Sequence, residues 1–381
     1  MVGKNLCCGC MACAQTCPRE CIEMIKDNNG FWKPQIDQDA CIKCNQCEKV
    51  CPVLNITSLE QQKIIDNVIL CANISESILM ESSSGGVFSA LANSVLRENG
   101  IVCGAAFSDD YRYVHHVVIQ NKEDIHKLVG SKYVQSEIED CYKLIKKNAE
   151  AGRKVLFCGS PCQVGALKLY LGKSDLENVF LIDFICHGVP SQKVYEKYIG
   201  WAEKKYGSQI SEVNFRSKES SWKQFSLKLV FNNSVMYQKL YDLDPYGQAF
   251  VTNTSLNELC YSCPFRTESR ASDLTLADAW GLSDYYQIVK RNKGASIVFV
   301  HTTKGMQRLN QINDELITEK LNDSDRVRQT SRLTEGHKKP ENRDMFFSSL
   351  DSLEFDKLVK KYAPYGIKKK VRLLVKEYLG K

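Results

Sequence analysis

Two stretches near the start of the chain repeat one cysteine spacing. Residues 7–18 read C-C-G-C-M-A-C-A-Q-T-C-P and residues 41–52 read C-I-K-C-N-Q-C-E-K-V-C-P, and both fit C-x2-C-x2-C-x3-C-P. Three thiolates at this spacing grip three corners of one iron-sulfur cube from a single loop. The fourth, directed away by the following proline, reaches the cube of the other repeat. That crossing assigns Cys7, Cys10, Cys13 and Cys51 to one 4Fe-4S cluster, and Cys41, Cys44, Cys47 and Cys17 to a second. Cys8 and Cys21 fall outside the pattern and are expected to be packing thiols. Zinc ribbons also use paired C-x2-C motifs, but a tetrahedral zinc site has no use for a third cysteine two residues on.

Further thiols with a chemical setting lie downstream. The run V-L-F-C-G-S-P-C-Q-V-G-A-L at 155–167 puts Cys162 on the first turn after a strand, where a helix N-terminus lowers a thiol's pKa and favours the thiolate. Cys158 lies within the apolar run and is expected in the core. Cys186 ends another strand in I-C-H-G-V-P-S, with His187 beside it. A lone histidine is usually a satisfied structural residue; beside a cluster or a flavin it can also donate a hydrogen bond or proton, which makes His187 the candidate catalytic residue. C-Y-S-C-P-F-R at 260–266 adds Cys260 and Cys263. Cys162, Cys186, Cys260 and Cys263 suffice for a third 4Fe-4S cluster, with zinc or separate thiols as the alternatives.

Two small-residue loops could hold an anion. Ser84, Gly85 and Gly86 sit in E-S-S-S-G-G-V-F-S-A-L at a helix start, where free N–H groups favour a phosphate, although such residues also cap helices with no ligand. Gly130, Ser131, Lys132 and Tyr133 precede another helix and add a cation and a ring. Together the loops could bind the phosphates of a dinucleotide and stack on its rings.

The elements that must position these residues alternate. The runs VILCA, IVCGAAF, YVHHVVI, KVLFC, VFLIDFI, DLTLADA and SIVFVH are expected strands, and helical periodicity is clearest at Val87–Arg97, Ile138–Lys147, Val164–Tyr170 and Val194–Tyr206. The expected fold is an α+β ferredoxin-like segment followed by an α/β module with a largely parallel sheet. Phe225 to Tyr241 departs from this pattern: two alternating runs flank Asn232-Asn233-Ser234, which predicts an inserted antiparallel hairpin. A polar stretch from Asn55 to Asp66 reads as a linker.

Composition narrows the class. At 381 residues, 43% hydrophobic and 25% charged, the chain is an ordinary globular protein of two or three domains. Ten of its eighteen cysteines precede residue 52. With no export signal and no long apolar run, such dense thiols mean metal in a reducing compartment, and a cytoplasmic location is expected. Of the net charge of +6, the segment Lys357 to Lys381 alone carries +8, so the body is no polyanion-binding surface and nucleic acid is not an expected partner. Ile367, Val371, Leu374, Val375 and Tyr378 are spaced helically among lysines in this tail. A basic amphipathic helix can lie on an anionic membrane or a partner, but such a stripe more often docks on its own protein.

Residues 1–55 resemble bacterial-type two-cluster ferredoxin domains. From about Leu70 to about Thr302, the ordered motifs S-S-G-G-V-F-S-A-L, G-S-K-Y-V, G-S-P-C-Q, C-H-G-V-P-S and C-x2-C-P-F-R-x3-R-x-S-D-L-T-L-A-D-A-W-G resemble the coenzyme F420 hydrogenase/dehydrogenase beta-subunit family. The last motif includes Asp273, Asp278, Trp280 and Gly281. The resemblance implies FAD near Ser84, Gly85, Gly86 and Lys132, a cluster on Cys162, Cys186, Cys260 and Cys263, and electron exchange with a deazaflavin or another substrate. The resulting expectation is an iron-sulfur flavoprotein oxidoreductase with a donor or acceptor protein such as ferredoxin; the alternatives are an electron-transfer subunit that delivers electrons to a partner enzyme and a cluster-bearing binding or sensor protein. Its parts are a ferredoxin domain at 1–55, an FAD-binding part at 67–150, a third-cluster part at 151–320 and a basic helical tail at 321–381.

Overall fold

The apolar runs become strands of one large sheet. The structure is a computed structural model and describes residues 3–59, 61–64, 68–172, 177–282, 286–321 and 333–379. In chain order the strands are β1 (Ile22–Lys26), β2 (Trp32–Ile36), β3 (Val68–Asn73), β4 (Ile101–Phe107), β5 (Val114–Ile119), β6 (Ser136–Glu137) and β7 (Val155–Cys158). They continue with β8 (Val179–Phe184), β9 (Ile210–Ser217), β10 (Ser226–Phe231), β11 (Met236–Leu240), β12 (Leu274–Asp278), β13 (Ser296–Val300) and β14 (Leu316–Lys320). Nine of them form a sheet in the order β14-β3-β13-β12-β8-β7-β4-β5-β6.

The sheet is buried on both faces, which is why its strands read as continuous apolar runs. Alternation still sorts the side chains. Ile101, Cys103, Val155, Phe157, Val179 and Leu181 meet Tyr142, Ile145, Val164 and Leu167 of the helices Cys141–Glu150 and Pro161–Leu171. Val102, Leu156, Phe180 and Ile182 face the other way, onto Val87, Leu91 and Val95 of the helix Val87–Arg97.

The expected parallel order holds at the centre, where β12, β8, β7 and β4 run parallel, and again between β5 and β6 at one edge. Both flanks turn antiparallel: β5 pairs with β4, and β13, β3 and β14 alternate in direction. The physical reason on the β5 side is the connection, because the few residues between β4 and β5 make a hairpin and leave no room for a crossover helix. The inserted hairpin is present as β10 and β11, and β9 completes it into a separate three-stranded antiparallel sheet. That sheet packs on the helix Gln192–Tyr206 through an aromatic core that includes Tyr195, Tyr198, Phe215, Tyr246 and Phe250.

The cysteine repeats form a small unit with internal symmetry. β1 and β2 pair antiparallel, and the short helices Ala12–Gln15 and Gln46–Lys49 each follow a residue in the left-handed region, Met11 (φ 62°) and Asn45 (φ 60°). These are equivalent positions of the two repeats, so the sequence repeat is also a backbone repeat. The unit is docked on the larger module: Gln15 Oε1 accepts the N–H of Tyr142 at 3.0 Å, Gln135 Oε1 accepts that of Trp32 at 3.1 Å, and Lys26 pairs with Glu196 at 3.2 Å.

Two expectations about the connecting segments need correction. Residues 51–59 form turns held by Asn55 Nδ2, which donates to Cys51 O at 2.9 Å, and Leu59 is buried against Gly165, so this part of the expected linker is packed rather than free. Residues 60, 65 and 66 of that stretch lie outside the described residues. In the tail the helix Ile367–Leu379 forms, but Val371, Leu374 and Val375 are exposed, so the docking expected of that stripe does not occur at these three positions. Residues 380 and 381 lie outside the described residues. No helix among the described residues is long and apolar enough to cross a membrane.

Strand direction places the chemistry. The carboxyl ends of β4, β7, β8, β12 and β3 share one edge with the amino ends of β5, β6 and β13. The loops at 81–86, 130–135, 159–162 and 185–188, and residues 279–282 and 291–295, therefore gather there, at the edge where open α/β sheets bind ligands.

Candidate redox site

β7 ends at Cys158, and the chain turns through Gly159 into the helix Pro161–Leu171. Ser160 and Gln163 close a capping box there with Pro161 at the first turn, which fixes Cys162 at the helix N-terminus. Cys186 lies two residues beyond β8, and Cys260 and Cys263 flank the end of the short helical turn Glu258–Ser262, capped by Asn257. All four cysteines line one cavity, together with Arg266, Arg270 and Cys8. Cys8, which its spacing marks only as a packing thiol, is thus the fifth thiol of this wall.

The electrostatics of this cavity oppose free thiolates. Burial pushes the Cys186 thiol up to about 12 and raises Cys260 and Cys263 as well. The neighbouring Cys8 thiol, followed by burial, holds Cys162 well above the ordinary thiol range. This reverses the lowering expected from the helix N-terminus: a sulfur neighbour and desolvation outweigh the dipole. Several sulfurs sharing a dry cavity ionise together only when a cation neutralises them, and a bound metal does so outright. Among the described residues no three Cys, His, Asp or Glu side chains close on the position of a single metal ion.

A second cavity lies beside the first. Cys7, Cys10, Cys13 and Cys51, grouped together by their spacing, line it with Cys47, Met24 and Val53, and Cys8 borders it too. Of the other set, Cys44 is exposed and Cys41 and Cys47 are half-buried. The Cys17 sulfur lies 3.4 Å from that of Cys21, so Cys21 sits at this group rather than apart from it.

The two small-residue loops meet. Ser83 Oγ accepts from the backbone N–H of Ser131 at 2.6 Å and from its hydroxyl at 2.8 Å. Ser84 Oγ donates to Ala295 O at 2.6 Å, and the Gly85 N–H donates to Ser296 Oγ at 2.9 Å. A Cβ on Gly85 would stand 2.5 Å from Cys71 O, and Gly86, at φ +74°, would bring one to 3.0 Å from the Asn73 Cβ. Both glycines are thus required by the protein's own backbone. Gly130, at φ +86°, faces open space. Lys132 Nζ donates to Val129 O at 2.9 Å and Gly130 O at 3.2 Å above the Phe107 ring, and desolvation draws its pKa down to about 7. Tyr133 stacks on Phe250 with ring centroids 4.8 Å apart and packs against Phe215 and Tyr241, so its ring is part of the aromatic core and not free to stack on a ligand.

Two cations beside these loops escaped the sequence reading. Arg216, at the end of β9, forks onto Asp278 at 2.7 and 3.0 Å and lies over the rings of Phe225 and Trp280. Lys218 Nζ donates to Lys293 O at 2.8 Å, to Ser84 O at 3.2 Å and to Leu79 O. Burial, then the nearby Arg216, lowers the Lys218 pKa to about 8, with Asp278 opposing. One carboxylate, Asp278, therefore faces two buried cations, which leaves net positive charge beside these loops.

His187 lies between the two regions. Its ring packs 4.6 Å from Phe250 and 4.1 Å from His337, and its carbonyl accepts from Arg266. Burial, then His337 and Arg266, holds its pKa down at about 3, so the ring is neutral near pH 7 and can supply a hydrogen bond but not an imidazolium proton. His187, next in sequence to Cys186 of the cysteine cavity, contacts Phe250, which in turn stacks on Tyr133.

Comparison with known proteins follows the same division. The family model for the C terminus of the coenzyme F420 hydrogenase/dehydrogenase beta subunit matches residues 152–324; the model for the N-terminal part of the same beta subunit matches 69–143, and a 4Fe-4S dicluster domain matches 6–55. The Coenzyme F420-dependent sulfite reductase of Methanocaldococcus jannaschii is 27% identical over 259 residues, covering 51% of this chain and 40% of that protein. A subunit of the F(420)H(2) dehydrogenase of Methanosarcina mazei is 22% identical over 203 residues, covering 49% of this chain and 54% of that protein. The chain thus spans about half the length, or less, of these curated relatives. A chain of the F420-reducing NiFe hydrogenase complex from Methanosarcina barkeri shares the fold, with a TM-score of 0.50 and 18% identity over 81% of this chain and 95% of that one. The two beta-subunit models together match well over half of the sequence, in the order of its motifs, and the chain belongs to the coenzyme F420 hydrogenase/dehydrogenase beta-subunit family, with a 4Fe-4S dicluster domain ahead of the beta-subunit part.

Proposed function

We propose that the chain is an iron-sulfur oxidoreductase that passes electrons between its two ferredoxin clusters, a third 4Fe-4S cluster and FAD. The observation that carries this reading is the convergence of Cys162, Cys186, Cys260 and Cys263, from three separate segments, on a cavity adjoining the one lined by Cys7, Cys10, Cys13 and Cys51. Those two sets hold the third and the first cluster; Cys17, Cys41, Cys44 and Cys47 hold the second. Arg266 and Arg270 offset the negative charge that four thiolates bring to the third site.

FAD, when bound, converts between one-electron clusters and a two-electron substrate. Lys132, Lys218 and Arg216 supply the positive field for its diphosphate, and the joined loops at Ser83, Ser84 and at Gly130, Ser131 shape the cleft around it. Gly85 and Gly86 act indirectly, by letting the first loop lie against β3 and β13. Neutral His187 is placed to donate a hydrogen bond rather than to protonate.

The names of the relatives support redox chemistry with a deazaflavin and membership of a complex, since they include a subunit of a dehydrogenase and a chain of a hydrogenase complex. The substrate is accordingly a deazaflavin or another two-electron acceptor, and the other partner is a donor protein such as ferredoxin or a companion subunit. The low potentials usual for ferredoxin clusters favour flow towards the substrate. On this reading the chain divides into 1–55, 67–150, 151–320 and 321–381, for the ferredoxin clusters, FAD, the third cluster and the basic tail. Anaerobic purification followed by flavin extraction tests it: about one FAD per chain is expected, and a cluster-loaded chain that neither retains nor binds FAD would overturn the flavin assignment.

A further inference from the structure

The apolar stripe of the tail helix faces outward. Val371, Leu374 and Val375 lie at i, i+3 and i+4 of the helix Ile367–Leu379, so they share one side of it, and they are 54%, 47% and 50% exposed. Leu373, which the helical turn puts on the opposite side, is buried. The helix therefore rests on the protein by its Leu373 side and presents its stripe to the surroundings, the reverse of a surface helix held by its own core. Lys369, also on the Leu373 side, sets its Nζ 4.3 Å from the centroid of the Tyr365 ring, which ties the start of the helix to the chain just before it.

The charge around the stripe has one sign. Over the helix the sequence carries Lys368, Lys369, Lys370, Arg372 and Lys376 against Glu377 alone. In the preceding helix, Phe355–Tyr362, Lys357 and Lys360 pair with Glu354 and Asp356 at 3.0 and 3.6 Å. Lys368, Lys369 and Arg372 are exposed and make no ion pair among the described residues. Because the segment from Lys357 onward carries more than the whole net charge of +6, the remainder of the chain is slightly acidic, and an anionic surface draws this helix towards itself and not the body. A soluble polyanion would match the charge but would leave the stripe in water. A protein partner would cover the stripe, but three aliphatic side chains fall well short of the roughly 800 Å² that each side of a stable interface gives, and lysine is depleted in such interfaces. A bilayer with anionic headgroups accepts both features: the Lys and Arg heads meet phosphates while their stems lie along the headgroup region, and the valine and leucine side chains enter the acyl boundary. We propose that the helix Ile367–Leu379 lies flat on an anionic lipid bilayer through Val371, Leu374 and Val375, so that the protein attaches to membranes peripherally. With so short a stripe the attachment is reversible and depends on both the apolar contact and the charge.

The test is flotation of the whole chain, purified anaerobically with its iron, with vesicles of phosphatidylcholine alone and of phosphatidylcholine mixed with phosphatidylglycerol. Wild type should float with the mixed vesicles and not with phosphatidylcholine alone, and raising the salt from about 0.1 to about 0.5 M should release most of it. The triple variant Val371→Gln, Leu374→Gln, Val375→Gln keeps the charge and the helix propensity and should bind the mixed vesicles at least roughly tenfold more weakly. Lys368→Gln, Lys369→Gln, Arg372→Gln keeps the stripe and should lose binding by a similar factor. All six positions are exposed, so iron content and thermal melting should match wild type in both variants. Absence of wild-type flotation with the mixed vesicles would overturn the proposal and leave the stripe to a companion subunit. Undiminished binding by the first variant would overturn it as well, by reducing the contact to attraction between charges, and equal flotation with both kinds of vesicle would remove the anionic headgroups from it.

Discussion

The hydroxyl and the backbone N–H of Ser131 both donate to one oxygen, Ser83 Oγ, at 2.8 and 2.6 Å. Two loops that are 48 residues apart in sequence are thereby joined. Ser83→Ala removes the acceptor and leaves that N–H unpaired. A hydrogen bond of this kind contributes about 1 kcal/mol, so flavin affinity should fall roughly fivefold as the loops part, with iron content unchanged. A flavin titration of the variant beside wild type checks this, and equal affinities would separate the loops from the cofactor.

Gly86 is held at φ +74°, close against Asn73 and Ile78. An L-residue in that conformation costs about 1–2 kcal/mol, so Gly86→Ala should destabilise the chain by that amount whether or not flavin is present. Urea unfolding with and without added FAD measures it. A variant that loses flavin binding while keeping wild-type stability would give the glycine a direct contact with the ligand.

His116 gives the fold a pH dependence. Its Nδ1 pairs with Ser136 Oγ at 2.6 Å and its Nε2 with Cys158 O at 3.3 Å, and burial above all holds its pKa down at about 4. An exposed histidine titrates near 6.5. Between those values the unfolded chain takes up a proton that the folded chain refuses, so this contribution is intact above about pH 6.5 and is lost as the pH falls towards 4. The loss amounts to about 2 kcal/mol between pH 7 and pH 5. His116→Gln should shrink the difference between unfolding free energies at the two pH values by about that much; an unchanged difference would assign the slope to other groups.

Much of this was legible in the sequence because the signals were local. The spacing of the two cysteine repeats groups Cys7, Cys10, Cys13 and Cys51, which line one cavity together with Cys8 and Cys47, and apolar runs such as 101–107 mark strands because both sheet faces are buried. What stayed hidden depends on contacts between distant segments. Nothing local tells that Cys8 faces Cys162, that Arg216 forks onto Asp278, or that Tyr133 is claimed by Phe250. The Cys162 thiol shows the limit most clearly: the helix N-terminus that should lower its pKa is visible in the sequence, but the buried thiol that raises it is not. Strand direction at the flanks was missed for a similar reason, since an apolar run has the same pattern in parallel and antiparallel pairing.

The central claim is that four cysteines of the larger module hold a third cluster next to the ferredoxin pair. The direct measurement is an iron count on full-length wild type and on the Cys260→Ser, Cys263→Ser double variant, both purified anaerobically. Wild type should hold about twelve irons and the variant about eight, with the ferredoxin signals retained in the variant's electron paramagnetic resonance spectrum. Equal iron in the two proteins would contradict the account and leave Cys162, Cys186, Cys260 and Cys263 as ordinary thiols.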